Sequence, residues 1–440
     1  MKTTIKILVF TALFLILIFG FSISILAKSP YAVKCENAQY ADAVYFYSYD
    51  AKSVLFSKNE KKIIYPASMV KIMTGLIACE KLENRLDEQI IITEDMLNGH
   101  AGTTMGLKVG FVYTVRDLLY GAICGGYNDA AQTLAVICSG SVDNFVEEMN
   151  IYATELNMTS TLYKNPTGLD ENGAQTSIYD VALLSKTAIQ NELYMQISSA
   201  KNYFYTSSDG KDVVVHNRNA LISHFTATQY LNDYASGLNA GSTEKGGYVV
   251  STLANFNGMR YLCIVMGAEN EEGEAYSYKI ANELINTAIT QFSSVKIISQ
   301  NEKISTLLVD CALTTDKETT IDCITENDIY AFVPKNLDLK KRLEYRVYFH
   351  DKELIAPINE GDVIGGLNIY LDGVLIGSTR LICNKNIVEN SFLVFMNNFK
   401  NFLLSRHFLI FIFIVVPSLA IFLYIDYMKN RRKNVRYIKF

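Results

Sequence analysis

The stretch Tyr65-Pro66-Ala67-Ser68-Met69-Val70-Lys71-Ile72-Met73-Thr74 decides the reading of this chain, because it holds a nucleophile and a base without any histidine. Pro66 fits just ahead of a helix, and the apolar run from Met69 to Ile77 predicts that this helix is buried. Three positions apart, Ser68 and Lys71 share one helix face and lie within hydrogen-bond reach. A serine hydroxyl is a weak nucleophile until a base takes its proton, and a lysine can do so once burial lowers its pKa. The helix N-terminus adds positive potential where an alkoxide would form. The pattern alone is weak, since a chain of 440 residues should hold on the order of two Ser-x-x-Lys matches by chance. A second match, Ser293 to Lys296, lies in a segment without proline or helical pattern. For Ser68 the plain alternative is an N-cap role.

Half of the residues are hydrophobic, 19% are charged and the net charge is −5, a balance that argues against nucleic-acid binding. The eight cysteines are scattered without a Cys-x-x-Cys pair, and the five histidines are isolated. No metal or cofactor is expected. Most cysteines lie in apolar runs and read as buried thiols, with Cys311 and Cys323 as a candidate pair outside the cell.

Two apolar segments bracket the chain. Residues 1–27 carry Lys2 and Lys6, a long apolar run and Ala27, the pattern of a secretory signal peptide, with an uncleaved anchor as the other reading. From Phe408 to Ile425 there are 18 residues without a charge, roughly 27 Å of helix and enough for a bilayer core. Lys429, Arg431, Arg432, Lys433, Arg436 and Lys439 follow, so the C-terminus is expected in the cytoplasm and everything between the two segments outside.

Between them the pattern changes once. Ala43–Tyr49 and Ser53–Phe56 read as a hairpin, residues 115–138 and 142–157 as helices, and Tyr203–Val215 as strand. Gly247–Asn255 and Arg260–Gly267 read as strands joined through Asn257-Gly258, and Lys279–Phe292 as a helix. Strands at both ends with helices between them predict an α+β layered domain over 28–292. Residues 293–385 read as a small β domain of short strands, including a hairpin through Asp372-Gly373. Phe392, Phe395, Phe399, Phe402 and Leu403 recur at helical spacing in 386–407, an amphipathic linker ahead of the span at 408–427 and the basic tail at 428–440.

The order of these elements resembles the low-molecular-mass penicillin-binding proteins that are D-alanyl-D-alanine carboxypeptidases. The resemblance spans essentially the whole chain. It rests on the serine box and on Leu118-Leu119-Tyr120-Gly121, Asn128-Asp129-Ala130-Ala131, Lys164-Asn165-Pro166-Thr167-Gly168-Leu169-Asp170, Gly258-Met259-Arg260 and Tyr370-Leu371-Asp372-Gly373. It implies a penicillin-binding/β-lactamase-like domain with an antiparallel sheet flanked by helices, then a β domain and a membrane anchor. It also implies that Ser68 forms an acyl-enzyme with peptidoglycan stem peptides, that Lys71 is the base, and that β-lactams inhibit. Asn128 belongs to the implied catalytic set. Asn239, Gly241 and Ser242 would bind substrate, and the backbone N–H groups of Ser68 and Ser242 would form the oxyanion hole.

Two of the three family boxes are altered. The serine of Ser-x-Asn falls on Gly126, and Lys-Thr-Gly reads Asn239-Ala240-Gly241. A charge-assisted hydrogen bond contributes roughly 1.5–3 kcal/mol, so the expectation is a loss of several powers of ten in efficiency. Ser242, Thr243 and Lys245 stand near enough to compensate, and the acidic run Glu269–Glu274 reads as a solvated loop. The expected function is a membrane-bound serine carboxypeptidase, slow or shifted in specificity. The alternative is an impaired homologue that binds cell-wall peptide or partner proteins. Reverting the boxes (Gly126→Ser, Asn239→Lys, Ala240→Thr) is expected to raise turnover.

Overall fold

The computed structural model describes residues 27, 28 and 30–433 apart from 100, 226, 272, 314–318, 351 and 352, so the signal segment and the end of the basic tail lie outside it. The chain forms two compact units. The first runs up to Lys296 and adds Tyr330–Glu344 and Ile369–Gly377; the second takes Ile297–Ile329, Tyr345–Asn368 and the chain from Ser378.

The first unit is built on six strands: β1 (Ala27–Lys28), β2 (Ala41–Ser48), β3 (Ser53–Lys58), β4 (Ala235–Thr243), β5 (Gly247–Phe256) and β6 (Met259–Ala268). Their order is β1-β3-β2-β6-β5-β4. Sequence-distant β2 and β6 pair antiparallel at the centre, Cys263 opposite Phe46, and β4 is left as an open edge. The β5–β6 turn follows its Asn-Gly signal, with Asn257 at φ 51° and Gly258 at φ 80°.

One face of the sheet carries the helices between β3 and β4. The central one, α1 (Val70–Leu82), is buried from Val70 to Cys79 on every side, which is why its sequence is apolar all round. It packs with α2 (Val115–Leu119), α3 (Asn128–Ser139), α4 (Val142–Glu155) and α5 (Ile178–Ala188) in one apolar cluster. The other face is covered by α6 (Tyr276–Gln291), whose Ile280, Leu284, Ile285 and Ala288 meet Val44, Phe46, Cys263 and Val265. Each such side chain stabilises the fold by roughly 1.5–3 kcal/mol.

The expected helix over 115–138 is broken. After α2 comes a π-helical turn, Tyr120–Cys124, then a loop, then α3. Gly126 sits at φ 69°, a conformation no right-handed helix can contain. The break brings Asn128 to the first turn of α3.

A second six-stranded sheet has the order Leu343–Phe349, Val363–Leu371, Val374–Cys383, Thr320–Thr325, Lys303–Asp310 and Leu354–Ile355. The Asp372-Gly373 hairpin is present, and Thr320–Thr325 is a strand that the sequence reading passed over. Cys323 stands opposite Cys383 in the ladder rather than beside Cys311, and all eight cysteines are free thiols. Ser391–Leu404 is a helix with exposed Phe392, Phe395 and Phe399, and Arg406–Asn430 is long and apolar enough to cross a membrane. A π-helical turn at Phe411–Val415 precedes Pro417, where the proline ring would strain ordinary α geometry.

Candidate active site

Ser68 lies on a 3₁₀ turn, Ala67–Met69, that leads directly into α1. The turn is tightly clamped. Ala67 holds φ 47°, and a Cβ on Gly168 would stand 2.0 Å from its carbonyl oxygen. The loop containing Gly168 is shaped by Asn165, whose Oδ1 accepts from Thr167 N (3.2 Å), Thr167 Oγ1 (2.9 Å) and Gly168 N (2.7 Å). Two of its carbonyls are turned onto α1, where Thr74 Oγ1 donates to Pro166 O at 2.7 Å and Lys71 Nζ donates to Thr167 O at 2.6 Å.

Lys71 is buried, only 3% exposed, and no carboxylate approaches it among the described residues. Burial, with a smaller contribution from the positive charge of Arg218, brings its pKa down to about 7. Near neutral pH a large fraction is therefore neutral amine. Such an amine can donate one proton to Thr167 O while its lone pair stays free to accept another. The Ser68 hydroxyl makes no hydrogen bond among the described residues. The other Ser-x-x-Lys match does not pair its side chains, because Ser293 and Lys296 lie on the strand Phe292–Ile298, where residues three apart point to opposite faces.

The edge strand β4 faces this turn. A Cβ on Gly241 would stand 2.3 Å from Ser68 Oγ and 2.7 Å from Ser68 Cβ, so only glycine fits there. The N–H of Ala240 is taken by Asn239 Oδ1 at 2.8 Å and so is not in the ladder with β5. The two-residue repeat then puts the Ser242 N–H on the same open edge, toward Ser68. Asn239 is otherwise occupied, since its Nδ2 donates to Ser68 O at 2.7 Å. Asn128 Nδ2 donates to Ala101 O at 2.6 Å.

Two of the three nearby residues that could compensate are engaged elsewhere, and Ser242 is not, among the described residues. Thr243 Oγ1 donates to Asp170 Oδ1 at 2.7 Å, and Lys245 Nζ lies 5.3 Å from the centre of the Tyr65 ring. In the acidic stretch Glu269 and Glu271 are exposed, Asn270–Glu271 pairs with Glu274–Ala275 as a short hairpin rather than a plain loop, and Glu274 is paired to Lys279 at 3.8 Å. The residue that sequence reasoning missed is Arg218, which enters the cleft between Gly126 and Gly241.

A nucleophile on a helix-leading turn, a buried lysine of lowered pKa and an open strand edge form the constellation expected for acyl transfer through a serine. The model of D-alanyl-D-alanine carboxypeptidases matches residues 32–270, more than half of the chain. The chain belongs to that family. The C-terminal domain of penicillin-binding protein 5 matches residues 292–389. The carboxypeptidase DacF of Bacillus subtilis is 26% identical over 398 residues, covering 89% of this chain and 97% of its own. DacD of Escherichia coli is 28% identical over 352 residues, covering 78% and 86%. Penicillin-binding protein 5 of Haemophilus influenzae superposes with a TM-score of 0.67 at 26% identity, covering 80% of this chain and 98% of that one.

The expected gain from reverting the altered boxes meets three obstacles. A Cβ on Gly126 would press to 2.9 Å from Arg218 Cδ. A lysine at 239 would remove the acceptor of Ala240 N–H. Ala240 is 1% exposed in the apolar cluster with Leu221 and Ile222, where a threonine hydroxyl would be desolvated.

Proposed function

We propose that this protein removes the terminal D-alanine from D-Ala-D-Ala stem peptides of peptidoglycan through a Ser68 acyl-enzyme. The supporting observation is the buried Lys71, whose pKa near 7 suits a general base at neutral pH. The Ser68 hydroxyl gives its proton to the Lys71 amine as its oxygen attacks the carbonyl of the penultimate D-alanine. The oxyanion meets the N–H groups of Ser68 and Ser242. As the peptide bond breaks, the leaving amine of D-alanine takes the proton back, and water later attacks the ester to free Ser68.

The same nucleophile would open a β-lactam ring and retain it as an ester. The helix Arg406–Asn430 would hold the enzyme in the cytoplasmic membrane, with the basic tail inside and the catalytic unit outside, beside the wall. D-alanine release from a diacetyl-L-lysyl-D-Ala-D-Ala peptide by the detergent-solubilised chain, measured together with fluorescent-penicillin labelling, tests this reading. Wild type should give both, and Ser68→Ala neither. Labelling without release of D-alanine would reject the carboxypeptidase in favour of a penicillin-reactive binding protein.

A further inference from the structure

Two cysteines of the second six-stranded sheet face each other across its two central strands. In the antiparallel pair of Thr320–Thr325 and Val374–Cys383, Cys323 stands directly opposite Cys383, followed by Ile324 opposite Ile382 and Thr325 opposite Leu381. Successive residues of a strand turn their backbone groups to alternate sides, so the hydrogen bonds fix which kind of pair this is. Cys383 donates its N–H to Asp362 O at 3.1 Å, and its carbonyl accepts from Gly361 N at 2.9 Å. Both of its backbone groups are thus turned away from Cys323. The ladder bonds fall on the alternate pairs, where Asn384 N donates to Asp322 O at 3.3 Å and Glu326 N to Arg380 O at 3.0 Å. Cys323 and Cys383 therefore form a non-hydrogen-bonded pair, the kind whose Cα atoms stand about 4.5 Å apart with the side chains close together. A disulfide spans Cα separations of about 4.4–6.8 Å.

Directly opposite residues share a face of the sheet, and here both are fully buried. Burial pushes each thiol's pKa up to about 11, and Cys383 adds to the rise at Cys323. Cys311, the partner expected from the sequence, is out of reach. On its other side Cys323 faces Ser305, and Cys311 lies past the far end of that strand, roughly 20 Å along it.

We propose that Cys323 and Cys383 are oxidised to a cross-strand disulfide, which closes the chain between them and staples the two central strands of the sheet. This rests on the reading that places the sheet outside the cytoplasm, where thiols meet oxidants. The oxidant is a disulfide-bearing exchange partner. One cysteine, as thiolate, attacks a sulfur of that disulfide, and a mixed disulfide forms as one oxidant thiolate leaves. The other cysteine then attacks the sulfur of the first and expels the second oxidant thiolate. Two cysteine thiols are oxidised, the partner's disulfide is reduced to two thiols, and the two protons pass to those thiols. Thiolate is scarce in the buried pair, so the exchange belongs to the stage at which the strands assemble, before the interior closes.

The test takes the full chain from membranes of cells quenched in acid, denatures it, blocks free thiols with N-ethylmaleimide and weighs its peptides. The peptides bearing Cys323 and Cys383 should be joined and lighter by two hydrogen atoms, while Cys311 carries the label. In a second arm the reduced chain, in detergent and sub-denaturing urea that lets the sheet open transiently, is incubated with oxidised glutathione. Closure there with thiols in cells would uphold the pair and overturn the outside placement. Thiols in both arms, or a bond from either cysteine to a different one, would overturn the proposal. Amide exchange over Thr320–Thr325 in the full chain should be at least tenfold slower with the bond than after reduction. Cys383→Ala should lose that sensitivity to reductant, and Cys311→Ser should keep it. Equal exchange with and without reductant in wild type would show that nothing is stapled.

Discussion

Around Ser68 and Lys71 the surrounding loop and Asn239 are committed to other protein atoms. Pro166 and Thr167 give their carbonyls to α1, Asn165 fixes the loop that carries them, and Asn239 braces the Ser68 carbonyl. Across the cleft, around Gly126 and Gly241, two positions have no side chain at all, and a guanidinium without a protein partner fills the space. The first region is rigid and dry, which is what lowers a lysine pKa. The second is open and charged. A substitution in either region should therefore fail differently.

The sharpest break comes where the two regions touch. Gly241→Ala puts a methyl group at 2.3 Å from Ser68 Oγ, so one of them must move. A displacement of that order at a nucleophile reduces rates by about 100-fold. Penicillin acylation of Gly241→Ala should fall at least that far while the thermal midpoint of the unit changes little. Acylation near the wild-type rate would show that the turn is not clamped.

A milder change separates bracing from binding. Asn239→Ala removes the donor to Ser68 O and the acceptor of Ala240 N–H, leaving a nearly buried pair unsatisfied at about 1–3 kcal/mol. The variant should melt several degrees lower and acylate more slowly on charged and neutral substrates alike. A loss confined to substrates bearing a carboxylate would instead place Asn239 in contact with that carboxylate.

Much of this was legible in the chain, and unevenly so. The sheet could be read because period-2 apolar runs meet Asn257-Gly258, whose positive φ closes a hairpin. Ser68 and Lys71 could be paired because three-residue spacing on a helix is nearly invariant geometry. The π turn and break at Tyr120–Tyr127 were hidden, since the apolar periodicity continues through them and only Gly125-Gly126 marks the interruption. Arg218 was hidden for another reason. An Asn-Arg-Asn tripeptide has no period and no motif, and its role depends on what two distant glycines leave open. The strand Thr320–Thr325 alternates Ile321 and Cys323 inward, a real signal diluted by its short length.

The pH dependence of benzylpenicillin acylation, followed on wild type, tests most directly whether a dry lysine drives the chemistry. The base is the neutral amine, so the rate must rise with pH as Lys71 loses its proton. With its pKa brought down to about 7 by burial and by Arg218, the rate should climb through neutrality and level off by about pH 8.5. In Arg218→Gln the inflection should move upward, because a repelling charge is gone. A rate still climbing steeply above about pH 9, as for an ordinary lysine, would contradict the account.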